Sequence, residues 1–194
     1  MNGIVKYALI AAVIGGVYFY SENSTESARD IDLNAVLDVT VDTLHSYQAS
    51  LDGKEGLDAD AAFSGLAAQL AANYNTAQPP LHSAEISVQP REDASLLAYE
   101  DGNKNDTVDE GENALFLIEV DGEQSRIIAT SGTGAVNEHH FSGTSLLAGY
   151  LIGSMLGRQR AAGVNPSKLA AKQPVTAKAA ARARAGSGSH ARGK

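Results

Sequence analysis

A stretch with the sequence DGNKNDTVDEGE, residues 101–112, places oxygen-bearing side chains at its first, third, fifth, seventh, ninth and twelfth positions. Alternate residues of a tightly coiled loop converge on one point, and a hard cation such as Ca²⁺ takes about six to eight oxygen ligands. A carboxylate at the twelfth position could bind with both oxygens. The candidate metal ligands are Asp101, Asn103, Asn105, Thr107 (through its backbone carbonyl), Asp109 and Glu112. The spacing therefore predicts a calcium site.

This stretch resembles the calcium-binding loop of EF-hand and dockerin-type modules, over residues 101–112 and no further. The pattern has glycine at its sixth position, where this chain has Asp106. Aspartate tolerates the left-handed backbone better than most residues, so the resemblance implies a strained turn there. An EF-hand also has a helix on each side of its loop, whereas the residues that follow Glu112 have a strand-like pattern. The stretch thus resembles the solitary calcium loops found between strands in exported bacterial proteins. Its three carboxylates and imperfect turn predict a weak affinity of about 10⁻⁴–10⁻³ M. The alternative is an acidic hairpin loop that only binds water.

The elements that must position this loop follow from the periodicity of the apolar residues. Residues 30–50 and 57–75 have helical spacing, and a Pro-Pro pair follows the second helix. Short alternating or apolar runs at residues 84–89, 95–99, 114–120 and 125–130 predict strands, with a hairpin turn at 121–124. Residues 131–140 are predicted as a loop. The expected fold class is α+β, with two helices followed by an antiparallel β-meander in an acidic domain of residues 21–141.

The chain begins with an apolar run, residues 3–20, that has no charged residue after Lys6. A helix of this length reaches roughly 27 Å at about 1.5 Å per residue, close to the ~30 Å hydrocarbon core of a bilayer. Aromatic residues cluster at its end, where they favour the level of the lipid headgroups. We predict a transmembrane anchor over residues 1–20. A cleaved signal peptide, for which no A-x-A-like site is present, and a buried core helix are the alternatives.

A second apolar run covers residues 142–157 and contains Gly149, Gly153 and Gly157 at intervals of four. In a helix, glycines at this spacing lie on one face and let another backbone approach closely. We therefore predict a short hydrophobic glycine-zipper helix that inserts into the membrane and associates with another helix, in this chain or in a second copy. A buried or interfacial helix is the alternative.

Charge is unevenly distributed along the chain, which has a net charge of −8. All 23 Asp and Glu residues lie between residues 22 and 138, whereas residues 158–194 carry only basic charge. This C-terminal part has no large apolar side chain after Val175, so we predict a disordered basic tail over residues 158–194. Arg158 and Arg160 directly follow the second apolar run and favour a cytoplasmic tail. The predicted topology is a hairpin with the acidic domain outside and both termini inside.

The sequence favours no enzymatic activity. It has no Cys, which excludes disulfides, Cys-ligated zinc, iron–sulfur clusters and thiol nucleophiles, and it has no GxSxG, HExxH or phosphate-loop motif. We expect a membrane-anchored protein of a bacterial inner membrane, with an extracytoplasmic calcium-binding domain and a structural or interaction role. Membrane lipid and an envelope protein are the expected partners. The alternative is a basic tail that binds anionic lipid or nucleic acid, and nucleic acid is disfavoured because the tail lacks aromatic residues for base stacking.

Overall fold

The computed structural model describes residues 31–141 and 149–187, with side chains described as far as residue 185. Two long helices come first, α1 over Leu33–Leu51 and α2 over Ala59–Thr76. Aspartates begin both helices: the Asp32 carboxylate accepts hydrogen bonds from backbone N–H groups of the first turn of α1, and the Asp58 carboxylate does the same for α2. Such caps satisfy N–H groups that have no partner inside the helix.

The helices are followed by five antiparallel strands in the order β1-β2-β3-β4-β5. Their bounds are β1 Ile86–Pro90, β2 Leu96–Glu100, β3 Ala114–Asp121, β4 Arg126–Ser131 and β5 Val136–His140. The predicted α+β class, with two helices before an antiparallel meander, is confirmed. The prediction of a loop over residues 131–140 is wrong for β5. This strand has the sequence VNEHH and is only partly buried, so it lacks the apolar alternation that marks a strand in a sequence.

One face of the sheet packs against the helices and forms the main core. Phe116, Ile118 and Val120 alternate along β3 and join the apolar side chains of α1 and α2 in one buried cluster. The Tyr74 ring of α2 meets the Phe116 ring edge-on at a centroid distance of 5.2 Å. The hydroxyl of Tyr74 is hydrogen-bonded to the Thr40 hydroxyl of α1 at 2.6 Å, which satisfies both buried oxygens.

The C-terminal part of the second apolar run packs in this same core. Helix α3, Tyr150–Ala161, buries Leu151, Ile152 and Met155 in the main cluster. The side chain of Gln48 accepts a hydrogen bond from the Leu151 N–H group at 2.9 Å, which fixes the start of α3 on α1. The prediction of a lipid-facing helix is therefore wrong for residues 150–157, because an apolar run of this composition suits a protein core as well as a bilayer. Residues 142–148 lie outside the described residues.

The glycine zipper does not form as a continuous helical face. Gly149 precedes α3 as its N-cap, and a Cβ atom there would lie 2.6 Å from the Gln48 side chain. Gly153 and Gly157 lie within the helix, and a Cβ atom at either would have no neighbouring atom within 4 Å. Within the described part of the chain no second helix packs on these two glycines, and self-association through them stays a prediction.

The basic C-terminal segment contacts the domain and has helical structure as far as residue 187. Helices α4, Pro166–Ala170, and α5, Ala177–Ser187, follow α3, and Leu169 is buried. Lys172 forms an ion pair with Glu119 of β3, and the backbones of Val175 and Val136 exchange two hydrogen bonds of 2.8 Å. The prediction of disorder is wrong for residues 158–187. That prediction counted apolar side chains, whereas this segment is held by a single buried leucine, an ion pair and backbone hydrogen bonds.

The contacts of the C-terminal segment also bear on topology. Residues of this segment contact β3 and β5 of the acidic domain, so both parts lie on the same side of any membrane. The predicted hairpin topology, with the tail and the domain on opposite sides, is therefore wrong. None of the described helices has both the length and the apolar character needed to span a bilayer. The anchor predicted over residues 1–20 lies outside the described residues.

Candidate metal centre

The twelve-residue loop connects β2 to β3, and its two ends are joined by hydrogen bonds. The Glu100 N–H group donates to the carbonyl of Asn113 at 2.9 Å, and the Asn113 side-chain amide donates to the Glu100 carboxylate at 2.7 Å. A register shift between Ala98 and Tyr99 precedes the loop. Such bulges bend a strand and redirect its side chains. The sheet therefore fixes where the loop begins and ends.

Asp101, the first predicted ligand, is buried at 2 % exposure and anchors the turn. Its Oδ1 accepts a hydrogen bond from the Asn105 N–H group at 3.1 Å. Its Oδ2 accepts from the Asp106 N–H group and from the Ser87 hydroxyl, both at 2.9 Å. Burial opposes ionisation of this carboxyl, but these hydrogen bonds outweigh burial and hold its pKa below the ordinary value. Asp101 is thus ionised at neutral pH.

Asp106 occupies the sixth position, where the calcium-loop pattern has glycine. Its backbone is left-handed, with φ 56°. Lys104 and Gly111 in the same loop are also left-handed, with φ 60° and 97°. The backbone therefore makes the sharp turn that the pattern requires at this position, at the cost of a strained conformation for a residue with a side chain.

The middle of the loop brings three predicted ligands together. The side-chain amides of Asn103 and Asn105 both donate to Oδ2 of Asp109, at 2.7 and 2.8 Å. The amide oxygens of the two asparagines accept backbone N–H bonds, that of Asn103 from Asn105 at 3.1 Å and that of Asn105 from Thr107 at 2.8 Å. In this arrangement the amide dipoles supply the partial positive charge that a cation would bring to Asp109.

Glu112, the twelfth residue, connects the start of the loop to its second half. Its Oε1 accepts a hydrogen bond from the Gly102 N–H group at 3.1 Å, and its Oε2 accepts from the Asp109 N–H group at 3.0 Å. Both carboxylate oxygens therefore face the inside of the loop. Thr107 is exposed, and its hydroxyl donates to the Asn105 carbonyl at 3.3 Å.

Negative charge is concentrated around this loop. Lys104 is exposed and forms an ion pair with Glu85; the hydrogen bond to this carboxylate, followed by its charge, raises the pKa of the lysine. Burial, followed by the charge of Asp101, raises the pKa of the Tyr99 hydroxyl to about 12.

The carboxylates of the loop do not form a metal site by themselves. Among the described residues, no group of three or more His, Cys, Asp or Glu side chains is arranged to hold a metal ion. A cation site here would need oxygens from Asn103 and Asn105 as well as from the carboxylates.

A second cluster of charges, which the sequence did not reveal, lies around Arg126, on the face of the sheet opposite to α1 and α2. Arg126 is 1 % exposed, and its guanidinium pairs with Asp121 at 3.0 Å and with Glu138. It also donates to the backbone carbonyl of Leu169 at 2.9 Å, at the end of α4. Burial opposes ionisation of Glu138, but hydrogen bonds from His140 and Arg126 lower its pKa. The full use of these groups in structural contacts indicates a structural role for the cluster.

Comparison of the chain with protein-family models, with curated protein sequences and with solved structures gives no match.

Proposed function

We propose that the acidic α+β domain binds one Ca²⁺ ion through residues 101–112 and that this ion stabilises the β2–β3 connection. The observation that supports the proposal most strongly is the convergence in the middle of the loop, where Asn103 and Asn105 both contact Asp109. Asp101 is ionised, and Glu112 directs both carboxylate oxygens into the loop. These are the hard oxygen donors that calcium prefers.

The role that fits this site is structural or interactive rather than catalytic. The candidate ligands would be used in coordination, and the contacts of the loop place no nucleophile beside a general base. A cation would replace hydrogen bonds between neutral amides and a carboxylate with direct charge neutralisation, so the loop would hold a single shape for a partner. We propose that the partner is a protein of the cell envelope.

The proposed cellular location is inferred from two features, the calcium loop and the apolar N-terminal run. A site of weak affinity is filled where calcium is at millimolar concentration, which favours an extracytoplasmic domain. Residues 1–20 would anchor that domain at a bacterial inner membrane. Since the C-terminal segment lies against the domain, the exposed Lys178 and Arg182 of α5 would face anionic lipid on the same side.

Thermal unfolding of the full chain with and without calcium tests the proposal. A ligand that binds only the folded state at tenfold excess over its Kd stabilises it by about 1.4 kcal/mol, which raises the unfolding temperature by several degrees. Glu112→Gln should abolish this increase. Glu110→Gln is the matched control, because it removes the same charge from an exposed residue outside the ligand pattern. An unfolding temperature that does not respond to millimolar calcium, or equal responses from both variants, contradicts the proposal.

A further inference from the structure

We propose that Ser87, on β1 and outside the calcium-loop pattern, is a positioning residue for the calcium site. This inference rests on the proposed function. It assigns to a buried hydroxyl the task of holding Asp101 in the orientation in which it would meet the ion.

The geometry around Ser87 is specific. The residue is 5 % exposed, and its hydroxyl oxygen lies 2.9 Å from Oδ2 of Asp101 and 3.1 Å from Oδ1 of Asp106. A hydroxyl has one proton, so it donates to one of these carboxylates at a time. Ser87 is thus a neutral donor shared by two negative groups of the loop.

The sheet places Ser87 where it can do this. Ser87 pairs with Tyr99 in the β1–β2 register, two residues before the loop begins. Side chains two residues apart in an extended chain point to the same face of the sheet, so Asp101 lies on the same face as Tyr99. Two strands therefore hold the donor in place before any cation arrives.

This contact should affect ion binding as well as folding. Ligand residues whose orientation is fixed by a second set of hydrogen bonds do not have to be ordered when the metal binds. Without Ser87, Asp101 would keep its two backbone donors but lose its side-chain donor. The carboxylates of Asp101 and Asp106 would also lose the one proton that lies between them.

The test is a calorimetric calcium titration of the full chain and of Ser87→Ala. We expect calcium to bind the variant roughly tenfold more weakly, the lower end of the range for loss of such an orienting contact. Ser95→Ala is the matched control. Ser95 is also buried, at 3 % exposure, but it lies in the turn between β1 and β2, where its hydroxyl donates to the Asp93 carboxylate at 2.5 Å, away from the loop. This control should bind calcium as the natural chain does.

Unfolding of the calcium-free variants separates positioning from a merely structural role. A structural role would lower the unfolding temperature of Ser87→Ala and leave the calcium Kd unchanged, and that result overturns the inference. Ser87→Thr keeps the hydroxyl and should keep most of the affinity; a loss equal to that of the alanine variant also overturns it. If the natural chain itself binds no calcium, the proposed function fails, and the inference fails with it.

Discussion

At the scale of single residues, Asp101 is both a candidate ligand and the acceptor around which the loop backbone turns. The twelve-residue pattern predicted its position, and the left-handed backbone at Asp106 follows from the same pattern. Ser87 could not be predicted in this way. It lies fourteen residues earlier in the chain, and only the pairing of β1 with β2 brings it to the loop.

The acid stability of the chain tests the hydrogen bonds to Asp101. Its pKa is lower in the folded state, so its ionised form stabilises the fold above the unfolded value of about 3.9. That stabilisation is lost as the pH falls through the lower folded-state pKa. The natural chain should therefore lose unfolding free energy as the pH falls below about 4. In calcium-free buffer, Asp101→Asn should lose less over the same pH range, as measured by urea denaturation. Parallel pH curves for the variant and the natural chain would contradict this account.

At the scale of helices and strands, apolar spacing predicted those elements that bury a regular face, as α2 and β3 do. It did not predict β5, because a polar edge strand buries little. It did not predict α4 either, because that short helix is attached through one leucine and through carbonyls that accept from Arg126. The second apolar run fits a bilayer as well as a core, because periodicity does not distinguish a core helix from one in a bilayer.

Arg126 connects the sheet to the C-terminal segment, so its removal should cost far more than the loss of a surface pair. Arg126→Met leaves Asp121 and Glu138 without their shared cation and should lower the free energy of unfolding by about 3–5 kcal/mol. Asp60→Asn is the comparison, because Asp60 is 83 % exposed in its pair with Arg158. That change should cost about 1 kcal/mol or less. Urea denaturation measures both, and equal losses would contradict the assigned role of Arg126.

At the scale of the whole molecule, the separation of charge along the sequence is partly cancelled by folding. Lys172 and Arg158 of the basic C-terminal segment pair with Glu119 and Asp60 of the acidic domain. The sequence suggested that the acidic and basic parts lie on opposite sides of a membrane, because it shows the order of charges along the chain and not which charges meet in the folded protein. Among the described residues, the acidic β2–β3 loop and the exposed Lys178 and Arg182 of α5 carry opposite charges at the surface.

We propose that each chain takes up a single calcium ion in the β2–β3 loop. Equilibrium dialysis of the full chain against radioactive calcium, in detergent, measures this directly. We predict one bound ion per chain at saturation, half-saturation at about 10⁻⁴–10⁻³ M free calcium, and no bound ion in Glu112→Gln. No bound calcium at several millimolar, or the same binding in Glu112→Gln as in the natural chain, would contradict the account.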